Sequence, residues 1–290
     1  MKLLITGSKG QVGTELKQQL AEIAELLTPS RAELDLANAS AVHAYLAQHQ
    51  PQAIINAAAY TAVDLAETEQ KAALAVNAKL PELLARYCAH SGAYLLHYST
   101  DYVYPGTGTE PWQEDSPTAP LNYYGHSKLQ GDLAVLAQCP SAVIFRTSWV
   151  YSDHGKNFRN TIIRLAKEKT ELSIVADQIG APTPASLIAA ISVQTLQRYQ
   201  QGQPIAGGVY HLAPRSYCSW YDFAKIIVQQ AEQQGQSLTL NASAIHPIPS
   251  SAYPTPAKRP LNSRLCVDKL ERALGIRLPL WQELLASKTL

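Results

Sequence analysis

The sequence predicts an α/β protein, a doubly wound parallel sheet followed by a second, smaller α/β region. Three observations carry that prediction. Strand and helix patterns alternate from residue 1 to about 150, as consecutive βαβ units do. The first strand passes into the first helix through a glycine-rich loop, Thr6-Gly7-Ser8-Lys9-Gly10-Gln11-Val12-Gly13. Polar residues gather where strands end, at Asn56-Ala57-Ala58-Ala59-Tyr60 and at Ser99-Thr100-Asp101-Tyr102. That is the edge of an open α/β sheet where ligands bind.

Composition narrows the class. The chain has 290 residues, 46% hydrophobic and 16% charged, with a formal net charge of +1. This suits a globular, cytoplasmic protein with a sizeable core. No global field points to nucleic acid or to a membrane surface. No apolar run reaches the roughly 18 residues of a spanning helix, and the one at the N-terminus is too short for a signal peptide. Cys88, Cys139, Cys218 and Cys266 are far apart and form no Cys/His cluster. They read as reduced packing residues, and no metal site is expected.

Residues 2–6 read as a short buried strand. After it, Val12, Leu16 and Leu20 share one helical face. Strand, glycine-rich turn and helix together make a dinucleotide-binding loop credible, spanning Gly7, Lys9, Gly10, Gln11, Val12 and Gly13. Gly7 allows the tight turn, Gly10 lets the backbone approach a pyrophosphate at the helix N-terminus, and Gly13 allows close helix–strand packing. The spacing is GxxGxxG, a departure from the Rossmann GxGxxG fingerprint.

A second strand ends near Leu27. An NAD-selective site carries an acid there, whereas this chain has Thr28-Pro29-Ser30-Arg31. Arg31 is either a reader of a 2′-phosphate or a solvated surface arginine. Asp35-Leu36 either borders an adenine or opens the next helix, near 39–49. The strand 52–56 ends in Ala57, Ala58, Ala59 and Tyr60, small enough for a flat cofactor to pass. Asn77 interrupts the apolar face of the following helix, where a buried amide needs partners, and Pro81 predicts a kink or a fresh start. The strand 93–100 ends at Thr100, and the strand 142–147 runs on through Trp149 to Tyr151.

Beyond Tyr151 the regularity breaks. A helix is expected near 157–169, a strand near 172–175, a helix from Pro184 to about Tyr199 and a strand at 209–213. Ser219 and Asp222 have the spacing of a capping box. The stretch 247–260 holds five prolines and is expected to be irregular. The division expected is 1–150 for a dinucleotide and 151–290 for the substrate, with 184–213 able to return and pack on the first part.

The chemistry is expected at Tyr124-Gly125-His126-Ser127-Lys128, inside a helical pattern over 123–137. Positions four apart share a helix face, so Tyr124 and Lys128 present a phenol beside an ammonium. A nearby cation lowers a phenol's pKa from ~10 and readies it for proton transfer near neutrality.

The glycine loop, Asn56 to Tyr60, Thr100, and Tyr124 with Lys128, in that order, resemble the extended short-chain dehydrogenase/reductase family. Tyr98-Ser99-Thr100-Asp101-Tyr102-Val103-Tyr104, Phe145-Arg146-Thr147-Ser148-Trp149-Val150-Tyr151, Gly180-Ala181-Pro182-Thr183 and Arg259-Pro260-Leu261-Asn262-Ser263-Arg264 are similar to its reductases of dTDP-linked 4-keto sugars. The resemblance covers nearly the whole chain. It implies reduction of dTDP-6-deoxy-L-lyxo-4-hexulose to dTDP-L-rhamnose, a cell-wall polysaccharide precursor. NADPH is the implied cofactor, with NADH also accepted. Tyr124 is then the acid, Thr100 aligns the same oxygen, and Lys128 also holds the nicotinamide ribose. Tyr102, Trp149, Asn157, Lys258 and Arg259 are the implied contacts of the dTDP-sugar. The family often has Phe where this chain has Tyr104, an exchange expected to be tolerated. Some members are dimers bridged by Mg²⁺ through carboxylates. Glu15 is present here but 184–190 has no acid, so the expected state is a monomer or weak homodimer without metal. Dehydratases of the family place Asp-Glu after the active-site Thr; here Thr100 is followed by Asp101-Tyr102. A non-catalytic regulatory relative would tend to lose Tyr124 or Lys128, and both are present.

Overall fold

The computed structural model describes residues 1–286. Strand β1 (Lys2–Thr6) is buried from its second residue on, and helix α1 (Gln11–Leu20) follows directly after the glycine loop. Gly7 sits at φ +67°, and a Cβ there would stand 2.6 Å from the Ala57 carbonyl oxygen. A Cβ on Gly13 would overlap the Gly7 carbonyl. The first and third glycines therefore have the roles their spacing predicts, turn and close packing.

Next come β2 (Glu25–Leu27), α2 (Ala39–His49) and β3 (Ala53–Asn56). The helical stretch after β3 is broken in the way Asn77 and Pro81 suggest. It comprises α3 (Gln70–Leu74), a π-turn at Ala75–Lys79, and α4 (Leu80–Ser91) with Pro81 in its first turn. Proline is tolerated there because the first-turn N–H has no intrahelical partner to lose. Strand β4 (Tyr94–Thr100) is buried throughout, α5 (Tyr123–Gln138) is capped by the Asn122 side chain, and β5 (Val143–Thr147) is again fully buried.

β5 does not run on unbroken. Trp149 takes φ +50° and separates it from β6 (Val150–Tyr151). Then follow α6 (Phe158–Glu168), β7 (Leu172–Val175), β8 (Ile179–Gly180), β9 (Thr183–Pro184) and α7 (Ala185–Gln200). β10 (Gly208–His211), β11 (Cys218–Ser219), α8 (Trp220–Gln233) with the expected Ser219/Asp222 capping box, β12 (Ile245–Ile248), α9 (Asp268–Leu274) and α10 (Trp281–Ala286) complete the chain. β12 corrects the expectation of irregular chain from Pro247 on: it pairs in parallel with β7 alone. A proline can join such an edge because no ladder donor is required on its outer side.

Among the described residues, six parallel strands form the main sheet in the order β2-β1-β3-β4-β5-β10. The order reverses between β1 and β3, which opens a crevice at their C-terminal ends. The segment after 184 makes contacts with the first half of the chain. α7 packs on α1, Tyr98 and Ser192 share a hydrogen bond of 2.6 Å, and β10 adds to the sheet beside β5. A separate apolar cluster built on Phe223, Ile162, Ile227 and Trp281 supports α6, α8 and the β7–β12 ribbon.

Candidate active site

The crevice at the switch point is a cleft of about 930 Å³. Its walls include Gly7, Lys9, Gly10, Gln11 and Val12 from the glycine loop, and Arg31, Asp35 and Leu36 after β2. Ala57, Ala58, Ala59 and Tyr60 follow β3, and Tyr124 and Lys128 come from α5. The first turn of α1 carries no side-chain cap on Gly10, so its N–H groups are free to face an anion. Two of the expected cofactor residues lie behind the walls. Gly13 packs on Gly7. Asn77 is fully buried, where its amide accepts from the Tyr60 N–H at 2.8 Å and donates to the Tyr60 carbonyl and to Ser127 Oγ. It holds the loop after β3 against α5, which is the partnership a buried amide requires.

Lys128 is 2% exposed, and its ammonium donates to the Tyr98 carbonyl at 2.6 Å. Burial pulls its pKa down to about 8, with Asp132, one turn further along α5, opposing. Tyr124 departs from the sequence expectation. Burial pushes its phenol up to about 12, against a hydrogen bond with Thr100, and Lys128 does not offset this. Desolvation therefore dominates at the phenol, while the Lys128 ammonium is bonded to a main-chain carbonyl on β4. The phenol is thus held protonated at neutral pH. Thr100 also donates to the Asp101 carboxyl at 3.1 Å and accepts from the Tyr102 N–H. Burial raises Asp101 to about 7, with hydrogen bonds from Ser263 and Thr100 opposing.

Comparison with known proteins places this arrangement. The family model of the RmlD substrate binding domain matches residues 1–289. The chain belongs to that family. It is 43% identical to the dTDP-4-dehydrorhamnose reductase of Salmonella typhimurium, covering 97% of this chain and 95% of the relative. Among solved structures it is similar to a dTDP-4-dehydrorhamnose reductase from Clostridium acetobutylicum, with TM-score 0.90 and 35% identity over 99% of this chain and 97% of that one. It is likewise similar to the Bacillus anthracis dTDP-4-dehydrorhamnose reductase in complex with NADP, with TM-score 0.89 and 34% identity over 98% and 96%.

The residues expected to contact the substrate lie outside the cleft walls. Tyr102 meets Tyr124 edge to face at 5.6 Å between ring centroids. Trp149 stacks on Trp220 at 3.6 Å and lies against the Gly180 backbone, which leaves no room for a Cβ there. The left-handed backbone at Trp149 costs about 1–3 kcal/mol in a non-glycine residue and places this ring beside the second half. Asn157 caps α6 and donates to Gln11 Oε1, Ser152 O and His154 O, so its donors are already engaged. Arg259 pairs with Asp64 at 2.9 Å, while Lys258 is exposed.

Further residues line the cleft beyond those expected to hold the cofactor. Ser99 and Thr147 line the floor, each with a buried hydroxyl that has no partner among the described residues. Thr147 ends β5 and Ser99 is the penultimate residue of β4, and this position at strand C-termini is the available signal. His154, Gly155 and Lys156 form a further wall, contributed from the far side of the chain. No local sequence signal marks them. Among the described residues, no group of three or more His, Cys, Asp or Glu side chains is arranged to hold a metal, and no helix is long and apolar enough to cross a membrane.

Proposed function

We propose that this chain is an NADPH-dependent reductase that converts dTDP-6-deoxy-L-lyxo-4-hexulose to dTDP-L-rhamnose in the cytoplasm, acting as a monomer or weak homodimer. The observation that carries the reading is a half-buried Tyr124, held protonated and bonded to Thr100, on the wall of a dinucleotide-sized cleft.

The residues present fit the cofactor. The glycine loop admits a backbone-close diphosphate at an uncapped helix N-terminus. The unpartnered hydroxyls of Ser99 and Thr147 suit the polar edge of a nicotinamide. Arg31 on the cleft wall suits a 2′-phosphate. When bound, NADPH supplies the hydride. The chain supplies the rest. Tyr124 donates its proton to the keto oxygen as negative charge develops there, and the reduced carbon thereby carries a hydroxyl. Thr100 aligns that oxygen. Lys128, anchored on Tyr98, places positive charge beside the cofactor ribose. A positioned acid of this kind contributes ~10²–10⁴-fold in rate. Tyr102, Trp149 and Lys258 remain the contacts assigned to the dTDP-sugar, with Arg259 able to join them on release from Asp64.

The test is consumption of NADPH by the purified chain with the dTDP-linked 4-keto sugar, with the product identified by NMR. Formation of dTDP-L-rhamnose supports the reading. No oxidation of NADPH, or the C4 epimer as product, overturns it.

A further inference from the structure

The loop 152–157 belongs to the far half of the chain yet is bound to the cofactor half at one small patch. Gln11, the first residue of α1, supplies the joint. Its Oε1 accepts from Ser152 Oγ and from Asn157 Nδ2, each at 2.9 Å, and its Nε2 donates to the Val150 carbonyl at 3.5 Å. One turn along the same face, Glu15 Oε1 lies 3.8 Å from His154 Nδ1. Residues four apart on a helix form one contact surface, so the first two turns of α1 hold the loop at two points. Asn157 fixes the other end of the loop by capping α6. Between these ties, His154, Gly155 and Lys156 form a wall of the cleft together with Gly10 and Gln11. His154 Nε2 is buried and has no partner among the described residues. The α1 N-terminus, where Gly10 provides no side-chain cap, opens onto the same space.

An unpartnered imidazole nitrogen and a lysine side chain therefore line the same cleft as an anion-attracting helix end. We propose that the loop 152–157 is a clasp over the diphosphate of the bound dinucleotide, with Lys156 as its cationic tip and Gln11 and Glu15 as its anchor. This rests on the reading of the cleft as a dinucleotide site. The ligand group is the cofactor's diphosphate and not that of the sugar nucleotide, because the loop lines the cleft of the glycine loop, whereas Trp149, Lys258 and Arg259 lie outside it. It is not the 2′-phosphate either, because Arg31 and Asp35 line the cleft after β2, while the loop that carries Lys156 is tied to α1 through Gln11.

Calorimetric titration with NADP⁺, NAD⁺, 2′-AMP and dTDP tests this on the parent, Lys156→Ala and Gln11→Leu. Lys156→Ala is expected to weaken NADP⁺ and NAD⁺ alike by roughly tenfold, with 2′-AMP and dTDP within about twofold of the parent. Trypsin cleavage after Lys156 should slow when NADP⁺ is added to the parent and should be faster in Gln11→Leu without ligand. Parent-like NADP⁺ affinity in Lys156→Ala, or no protection by NADP⁺, overturns the clasp. So does a loss shared by NADP⁺ and 2′-AMP but not NAD⁺, which would make Lys156 a reader of the 2′-phosphate. A loss confined to dTDP would assign Lys156 to the substrate and overturns it too. Failure of the parent itself to bind NADP⁺ removes the dinucleotide reading, and the clasp with it.

Discussion

The ammonium of Lys128 donates to the main-chain carbonyl of Tyr98 at 2.6 Å, tying α5 to the last turn-out of β4. Tyr98 lies two residues before Thr100, and Lys128 lies one helical turn after Tyr124. The bond therefore fixes the relative placement of strand and helix that brings Thr100 to Tyr124. It also separates two roles that sequence spacing had merged: Lys128 holds charge and position, while burial, with smaller contributions from the Asp101 and Asp132 carboxylates, keeps the phenol protonated.

The pH dependence follows from that separation. Tyr124 stays protonated up to about 12, so it contributes no titration limb near neutrality. Lys128 has a pKa pulled down to about 8; it is charged below that pH and neutral above it. The kcat/KM for ketone reduction, which reports free-enzyme groups, should therefore fall as pH rises through about 8. Lys128→Met should be slow and should lack this limb. A parent profile that stays level well into the alkaline range would contradict the assignment.

Tyr124→Phe removes only the transferable proton. Its kcat should drop by ~10²–10⁴-fold, while the thermal midpoint and NADP⁺ affinity stay near those of the parent. Near-parent turnover at neutral pH would show that another group is the acid.

The Tyr104 hydroxyl is well used. It accepts from the buried Arg146 at 2.8 Å and shares a 2.6 Å hydrogen bond with His211 Nε2. Arg146 is in turn bonded to the buried Asp132 at 2.9 Å. Tyr104→Phe leaves an Arg146 donor and the His211 ring nitrogen without this partner, and should destabilise the fold by about 1–3 kcal/mol in denaturant unfolding. A variant as stable as the parent would mean that the network closes without the hydroxyl.

Activity should survive exhaustive EDTA treatment. Glu15 faces His154 at 3.8 Å, and 184–190 offers no carboxylate to complete an oxygen shell. A loss of activity that Mg²⁺ restores would refute this.

NADPH should be preferred over NADH, modestly. Arg31 lines the cleft, and residues 28–32 contain no acid to repel a 2′-phosphate. The nearby Glu33 accepts from the Ser30 N–H at 2.7 Å and is not among the cleft walls. The kcat/KM ratio for the two cofactors should shrink in Arg31→Ala. An unchanged ratio would remove Arg31 as the reader.

The legible parts of this chain are those whose cause is local. Glycine-loop spacing gave the β1–α1 turn, Ser219 and Asp222 gave a helix start, and Asn77 with Pro81 gave the break that the structure resolves as a π-turn. The tyrosine–lysine spacing placed both side chains on the cleft. What spacing could not supply was the dielectric around Tyr124, which depends on packing from several elements, or the direction of the Lys128 ammonium. The left-handed backbone of Trp149 is set by contact with Gly180 and Trp220, both remote in sequence. The strand at Ile245–Ile248 was hidden by Pro247, whose usual meaning fails on an edge with a single neighbour. His154 to Lys156 lie at the cleft on a loop tied to Gln11 and Glu15, more than a hundred residues earlier.

The position of β10 beside β5 has a consequence for synthesis on the ribosome. When residue 150 emerges, the cleft floor has been made, but the outer edge of β5 still presents unpaired N–H and C=O groups, and the α7-facing side of α1 is bare. Both stay open until residues 185–211 have been translated, a further 61 residues. Exposed strand edges recruit other chains, so nascent chains stalled in that interval should be the ones that depend on a holdase. A fragment ending at residue 150 should aggregate where one ending after the last described helix remains soluble.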